Sequence, residues 1–390
     1  MQRFHRSDLF IVFVAFFSFI VLGLPGGLLN VAYSPSILNT FNLSRGDIGV
    51  LGFATTLGYL SASFSSGRLA FSLSLGVFLT GGSVLMSIGL LGIAFAPAWL
   101  ILVGFGFLLG LGGGAIDSGL NTYAATNRSP AFMNWLHASF GLGAATGPLI
   151  MTALLSQAVA WQVGYVLVGL IALLLAFAFG ATRFRWTVSP SLSTEPSTPQ
   201  HVPMRATLAM PMVWLMALFF AIYAGVESSG GQWSFSLFES RHIDETTAGL
   251  WVSVYWASLT AGRVVFGALS VRFNAFALLR WCIYGMIAGA LLIWLNLSNS
   301  TSFLGLAMLG FLQAPIFPIM VSKTPQIVGH SHAPNSIGFQ VAAAGIGLAA
   351  LPALAGVLAD RTSIEVVGPF LAIFSIAIYI LYEIVVHVKR

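Results

Sequence analysis

Apolar residues run in long blocks from one end of this chain to the other, and the polar punctuation between blocks is short. A helix of about 20 apolar residues crosses roughly 30 Å of hydrocarbon, and the blocks are of that length. They predict spans from Leu9 to Leu29, Ile48 to Ser66, Leu73 to Ala96, Trp99 to Ala125, Phe132 to Ala158 and Trp161 to Ala181. Further spans follow from Leu208 to Phe238, Thr246 to Leu269, Ala275 to Leu295, Phe303 to Ser322, Asn335 to Ala359 and Val366 to Val388. The predicted fold class is an all-α membrane protein of twelve transmembrane helices.

The longest polar stretch lies at mid-chain, where TRFRWTVSPSLSTEPSTPQHVPMRA is rich in Ser, Thr and Pro. Such a segment cannot bury itself and reads as a flexible linker. It divides the chain into a six-helix bundle over residues 1–183, a cytoplasmic linker over 184–206 and a second six-helix bundle over 207–390. The first block has basic residues ahead of it, as a signal peptide does. It runs past Pro25 towards Asn30 and Tyr33 without a clear cleavage site, so it is read as a span.

Composition removes the soluble readings. Of 390 residues, 57% are hydrophobic and 7% charged, with a mean hydropathy of +0.92, against about 25% charged in soluble domains. The 16 Lys and Arg are scattered singly and form no stripe that would suit nucleic acid. They set orientation instead, because cytoplasmic loops carry the basic excess. With the N-terminus inside, Arg3, Arg6, Arg68, Arg128, Arg183, Arg185, Arg205, Arg272, Arg280, Lys323, Lys389 and Arg390 fall on the cytoplasmic side. Only Arg45, Arg241 and Arg361 fall outside, so both termini are expected in the cytoplasm; in a bacterium the membrane would be the cytoplasmic (inner) one. The single cysteine, Cys282, sits inside an apolar run and excludes an intrachain disulfide. There is no phosphate loop and no histidine pair with metal spacing on a helix. His330 and His332 share a solvated loop. No catalytic residue, metal or cofactor is expected, and an ion gradient is the expected driving force.

A charge at the bilayer centre costs on the order of 2.5 to 3.5 kcal/mol, so an ionisable residue inside a span is a functional candidate. Asp117, Glu227 and Arg263 qualify, with Glu383 a weaker fourth near the chain end. Gly110, Gly113 and Gly114 share a helical face with Asp117 and Asn121. The glycines alone suit close helix packing, but they do not account for the acid. A carboxyl among apolar neighbours can be loaded with a proton and relieved of it. In the fifth span Asn134 and His137 lie one turn apart, and a hairpin about Arg128 brings His137 level with Asn121. A buried histidine is commonly just hydrogen-bonded, so His137 is read either as structural or as a proton relay. In the seventh span Tyr223 and Glu227 share a face, ahead of Gly230, Gly231 and Trp233. Acid, hydroxyl and aromatic groups together suit a sugar, whose hydroxyls meet carboxylates and amides and whose C–H face meets rings. Gln313 and Gln340 are further amides for hydroxyl recognition.

The plan of two six-helix halves about a linker resembles the major facilitator superfamily. GAIDSGLN, NWLHASFGLGAATGP, YAGVESSGGQW, AGR, QAPIFP and IGFQVAAAGIG resemble segments of its fucose/glucose/mannose permease branch. The resemblance implies two pseudo-symmetric bundles, and it implies that Asp117 stands for the branch's fourth-span carboxylate, with Asn121 for the asparagine four residues on. The branch's first-span carboxylate is missing, since LGLPGGLLNVAY offers Asn30 and Tyr33, and the signature between spans two and three keeps only Gly67 and Arg68.

The expectation is a sugar or polyol symporter working by alternating access. Protons are the expected coupling ion, with sodium left open. Asp117 and Glu227 couple, while Asn30, Tyr33, Asn121, Tyr223, Glu227, Trp256, Gln313 and Gln340 bind substrate. Arg263, Asn134 and His137 gate or relay, with Arg263 approaching Asp117 or Asn134. The partners are a small solute and the bilayer, with one chain as the working unit. The rival is a proton-driven exporter of drugs or metabolites, suggested by the Gly and Pro pattern of the fifth span; a membrane receptor or scaffold would leave the buried charges unexplained.

Overall fold

The computed structural model describes residues 6–43, 47–187 and 202–388. Among them are twelve helices long and apolar enough to cross a membrane, and no strand. They are α1 (Arg6–Ala32), α2 (Ile48–Leu73), α3 (Leu75–Phe95), α4 (Trp99–Asn127), α5 (Pro130–Ser156) and α6 (Gln162–Ala181). The second set is α7 (Pro211–Ser240), α8 (Glu245–Leu269), α9 (Ala275–Leu295), α10 (Asn299–Val328), α11 (Ala333–Arg361) and α12 (Val367–Val388).

Ends are set by local chemistry. Asp244 caps α8 by accepting from Thr247 N at 3.0 Å, and Asn274 caps α9 by accepting from Phe276 N and Ala277 N. Ser298 and Thr301 exchange bonds in a capping box that opens α10. After α1 the chain makes a π-helical turn, Tyr33–Ile37, and a short helix, Leu38–Phe41, ended by Asn42 at φ 55°.

The tenth span, expected as one helix from Phe303 to Ser322, is two segments, Asn299–Gln313 and Ile316–Val328. Pro315 has no N–H, so the Phe311 carbonyl loses its helical partner. Gly262 of α8 lies against that carbonyl so closely that a Cβ there would collide with it. A Cα–H contact of this kind partly compensates for the lost bond.

The start of the predicted linker is not loose chain. Arg183–Arg185 form a 3-10 turn, and Trp186 is 1% exposed. Its ring packs edge-on against Tyr123 and Phe179, and its Nε1 donates to Thr182 Oγ1 at 2.8 Å. Asn127 Nδ2 holds Thr187 O at 2.8 Å. Residues 188–201 of the expected linker lie outside the described residues, and its last residues enter a short helix, Met204–Leu208.

The chain forms two compact units. One comprises Met1–Asn127, Leu136–Met204 and His330–Gly338; the other comprises Arg128–Trp135, Arg205–Gly329 and Phe339–Arg390. The beginnings of α5 and α11 are therefore exchanged relative to a division at the linker. Within the first unit α3 packs on α4 and α6, α2 on α4, and α1 on α6. Within the second, α9 packs on α10 and α12, α8 on α10, and α7 on α12. Each pairing recurs six helices later, which is an internal repeat of two pseudo-symmetric bundles.

Lipid supplies no hydrophobic drive between helices, so close packing and internal polar bonds hold such bundles. The α2–α4 contact shows how: a Cβ on Gly110 or Gly114 would overlap the carbonyls of Thr55 and Tyr59. The glycine face noted in the sequence thus brings two backbones into direct contact.

Candidate functional site

That contact positions Asp117, which follows Gly114 by less than one turn of α4 and is 9% exposed. The Tyr59 hydroxyl on α2 donates to Asp117 Oδ2. Asn121 Nδ2 donates to Asp117 Oδ1 at 2.7 Å and to its carbonyl at 2.9 Å. The Asn121 carbonyl oxygen in turn faces His137 Nε2 at 3.0 Å. Since that oxygen can only accept, His137 carries its hydrogen on Nε2. Phe19 of α1 packs edge-on against the imidazole at 5.2 Å. The result is a chain of donors that ends at one carboxylate, His137 to Asn121 to Asp117, with Tyr59 closing the other side.

A second cluster lies in the other unit. Glu227 of α7 accepts from the Tyr223 hydroxyl at 2.6 Å. Arg263 of α8 places one guanidinium nitrogen 3.4 Å from both carboxylate oxygens. This is longer than the roughly 2.7–2.9 Å of a tight charge-assisted bond. Both side chains are largely buried, Arg263 at 8% and Glu227 at 15% exposed. The Tyr255 hydroxyl donates to the Glu227 backbone carbonyl at 2.7 Å, and Gln313 Nε2 donates to the Tyr255 oxygen. Tyr223 also lies 3.1 Å from the Gln313 carbonyl.

The structure distributes the other candidates unevenly. Asn121 and His137 join Asp117, while Tyr223, Gln313 and Arg263 join Glu227. Arg263, expected against Asp117 or Asn134, makes its ion pair with Glu227. Asn134 is fully buried, donates to Pro130 O at 3.0 Å, and sits beside Gly267, one turn beyond Arg263 on α8. Trp256 is 43% exposed, with its ring over Gly231 and edge-on to Tyr255. Gln340 is buried and accepts from Thr324 Oγ1 at 3.0 Å, an arrangement that braces α10 against α11. Tyr33 is buried in the turn after α1. Asn30 falls in α1, and its side chain lies outside the described residues.

Tyr59 and Tyr255 escaped the sequence reading. A tyrosine in an apolar span reads as packing, and nothing in its own helix names its partner. The signal that finds them is the repeat. Gly114 and Asp117 on α4 recur as Gly310 and Gln313 on α10, and each glycine lies against the carbonyl of the tyrosine that bonds the residue three positions on.

Comparison with known proteins agrees with this architecture. The sequence model of the Major Facilitator Superfamily matches residues 11–295 and 233–390. The chain belongs to the major facilitator superfamily. The superfamily is one of membrane transporters, so the chain is a transporter and not an enzyme. It is 26% identical over 90% of its length to "Bypass of stop codon protein 6" of Saccharomyces cerevisiae, covering 77% of that protein. It is 22% identical over 92% of its length to the glucose/mannose transporter GlcP of Bacillus subtilis, covering 89%. Among solved structures, the superfamily transporter FucP in its outward conformation aligns over 96% of this chain and 98% of its own, with a TM-score of 0.77 at 16% identity. FucP is described as the fucose:proton symporter of E.coli.

Proposed function

We propose that this transporter moves a sugar or polyol across the cytoplasmic membrane, with both termini in the cytoplasm, by symport with protons. The observation that carries the reading is Asp117, a buried carboxyl whose described side-chain partners, Tyr59 and Asn121, are both neutral donors. Such a group can exchange one proton without breaking an ion pair. Glu227 differs, because Arg263 stands beside it. The Glu227 cluster contributes carboxylate, guanidinium, phenol and amide groups next to the exposed ring of Trp256, the mixture a polyhydroxylated solute needs. The names of GlcP and FucP point to the same solute class.

Uptake of a panel of labelled sugars into proteoliposomes, with and without an inward proton gradient, tests the reading. Gradient-driven accumulation of at least one sugar, abolished by Asp117→Asn, is expected. Movement of cationic drugs with no sugar accumulation would make the chain an exporter instead. Accumulation that follows sodium and ignores pH would reassign the coupling ion.

A further inference from the structure

Glu383, the weaker fourth acid of the sequence, belongs to a third cluster. It lies on α12 and accepts two bonds from Arg280 of α9, from Nε at 2.6 Å and from Nη2 at 2.9 Å. His387, one turn on, places Nδ1 3.5 Å from Glu383 Oε2. Two tyrosine contacts bracket the pair along the same helices. The Tyr382 hydroxyl donates to the Phe276 carbonyl nearer the start of α9, and the Tyr284 and Tyr379 hydroxyls meet at 3.0 Å on the other side. These contacts fix α9 and α12 in register, with the ion pair in the groove between them. The rims of the groove are large exposed side chains, Trp281 and Tyr284 on α9 and Ile380 and Ile384 on α12. On helices long and apolar enough to span a bilayer, such side chains meet lipid.

We propose that this groove binds the headgroup of a phospholipid bearing a primary ammonium, phosphatidylethanolamine, with its phosphate on Arg280 and its ammonium on Glu383. The depth suits a headgroup. α9 starts at Ala275 and α12 ends at Val388, so each member of the pair lies five residues from a helix end. At 1.5 Å per residue that is about 8 Å, a distance that long side chains cover by snorkelling. Trp281, Tyr284 and Tyr379 stand beside the pair, and Trp and Tyr collect at the membrane–water interface. The pair also keeps partial exposure, 34% for the arginine side chain and 19% for the glutamate. A guanidinium has five N–H groups, and Glu383 engages Nε and Nη2, which leaves the Nη1 hydrogens for a phosphate. A carboxylate has about four lone-pair sites and can take an ammonium beside the guanidinium. Charge then selects among headgroups. The ion pair itself is neutral, so a net anionic lipid gains little from it, while a zwitterion finds an opposite charge for each of its own. Choline matches the charges, but its quaternary nitrogen has no hydrogen to give to Glu383.

Native mass spectrometry tests the site without any transported solute. The full chain is released from nanodiscs that hold equal parts of phosphatidylethanolamine, phosphatidylcholine and phosphatidylglycerol with matched acyl chains, and the retained lipids are weighed. The wild type should retain the ethanolamine lipid over the choline lipid on the order of five-fold, the scale of a partly exposed charge contact. Arg280→Gln with Glu383→Gln keeps the side-chain shapes and removes both charges, and the preference should vanish. Arg183→Gln, in the other bundle, should leave it unchanged. Equal retention of the ethanolamine and choline lipids by the wild type overturns the site, whether or not the double variant folds. A preference that survives the double substitution also overturns it. Stronger retention of phosphatidylglycerol overturns it as well, since that would mark a site for net negative charge.

Discussion

Asp117 and Gln313 hold the same place in the two halves of the chain, each three residues beyond a glycine pressed against a tyrosine carbonyl. One is an ionisable acceptor of its tyrosine's hydrogen, and the other is an uncharged amide, one methylene longer, that donates to its tyrosine.

Asp117→Gln follows from this equivalence. Its amide nitrogen can donate to Tyr59 as Gln313 does to Tyr255, so the variant should fold and melt within a few degrees of wild type while losing concentrative uptake. Asp117→Leu should melt lower, because it leaves the Tyr59 and Asn121 donors without their acceptor at about 1–3 kcal/mol. Thermal unfolding in detergent beside proteoliposome uptake separates the two.

Gly114→Ala should destabilise the protein by about 1–3 kcal/mol, since the new methyl meets the Tyr59 carbonyl across a backbone contact that cannot yield. Gly104→Ala, where nothing lies within 4 Å of the added carbon, should be close to neutral. Equal melting temperatures for the two variants would contradict the packing described for α2 and α4.

The Glu227 and Arg263 pair should behave non-additively. Removing either partner leaves a buried charge uncompensated, at a cost of about 3–5 kcal/mol for a fully buried pair and less here, where both keep some exposure. The double variant Glu227→Gln with Arg263→Met should be more stable than either single one. A double-mutant cycle on unfolding temperatures gives the answer.

At the far end of α7, Arg241 is held by Glu365 through bonds of 2.8 and 2.6 Å, and it also donates to the Ile293 carbonyl at 3.0 Å. Its side chain is 4% exposed. Arg241→Lys should not rescue this site, because an ammonium cannot reproduce the planar fork. Melting of the lysine variant close to that of Arg241→Ala is the expected result.

The helices were legible because a bilayer demands long apolar runs; all twelve appear close to the expected bounds, except that α2 continues past Ser66 to Leu73 and α10 past Ser322 to Val328. The break in α10 was not, although Pro315 and Pro318 were visible, since prolines in membrane helices are often accommodated and only the Gly262 contact shows how this one is. Of the candidate site, the costly charges Asp117, Glu227 and Arg263 stood out, as did the pairing of Asn121 with His137. The partner of Arg263 could not be read, because two acids lay at plausible depths and sequence gives no azimuth between helices. Gln340 seemed available for the same reason, and its bond to Thr324 became apparent only with α10 and α11 side by side.

The glycine contact between α2 and α4 has a practical consequence. With no side chain between the two backbones at Gly110 and Gly114, there is no compressible layer to absorb sliding, so Tyr59 and Asp117 travel as one rigid body. Two labels placed on α2 and α4 beside this contact should therefore report one fixed separation, an internal ruler against which movement elsewhere in the chain can be read.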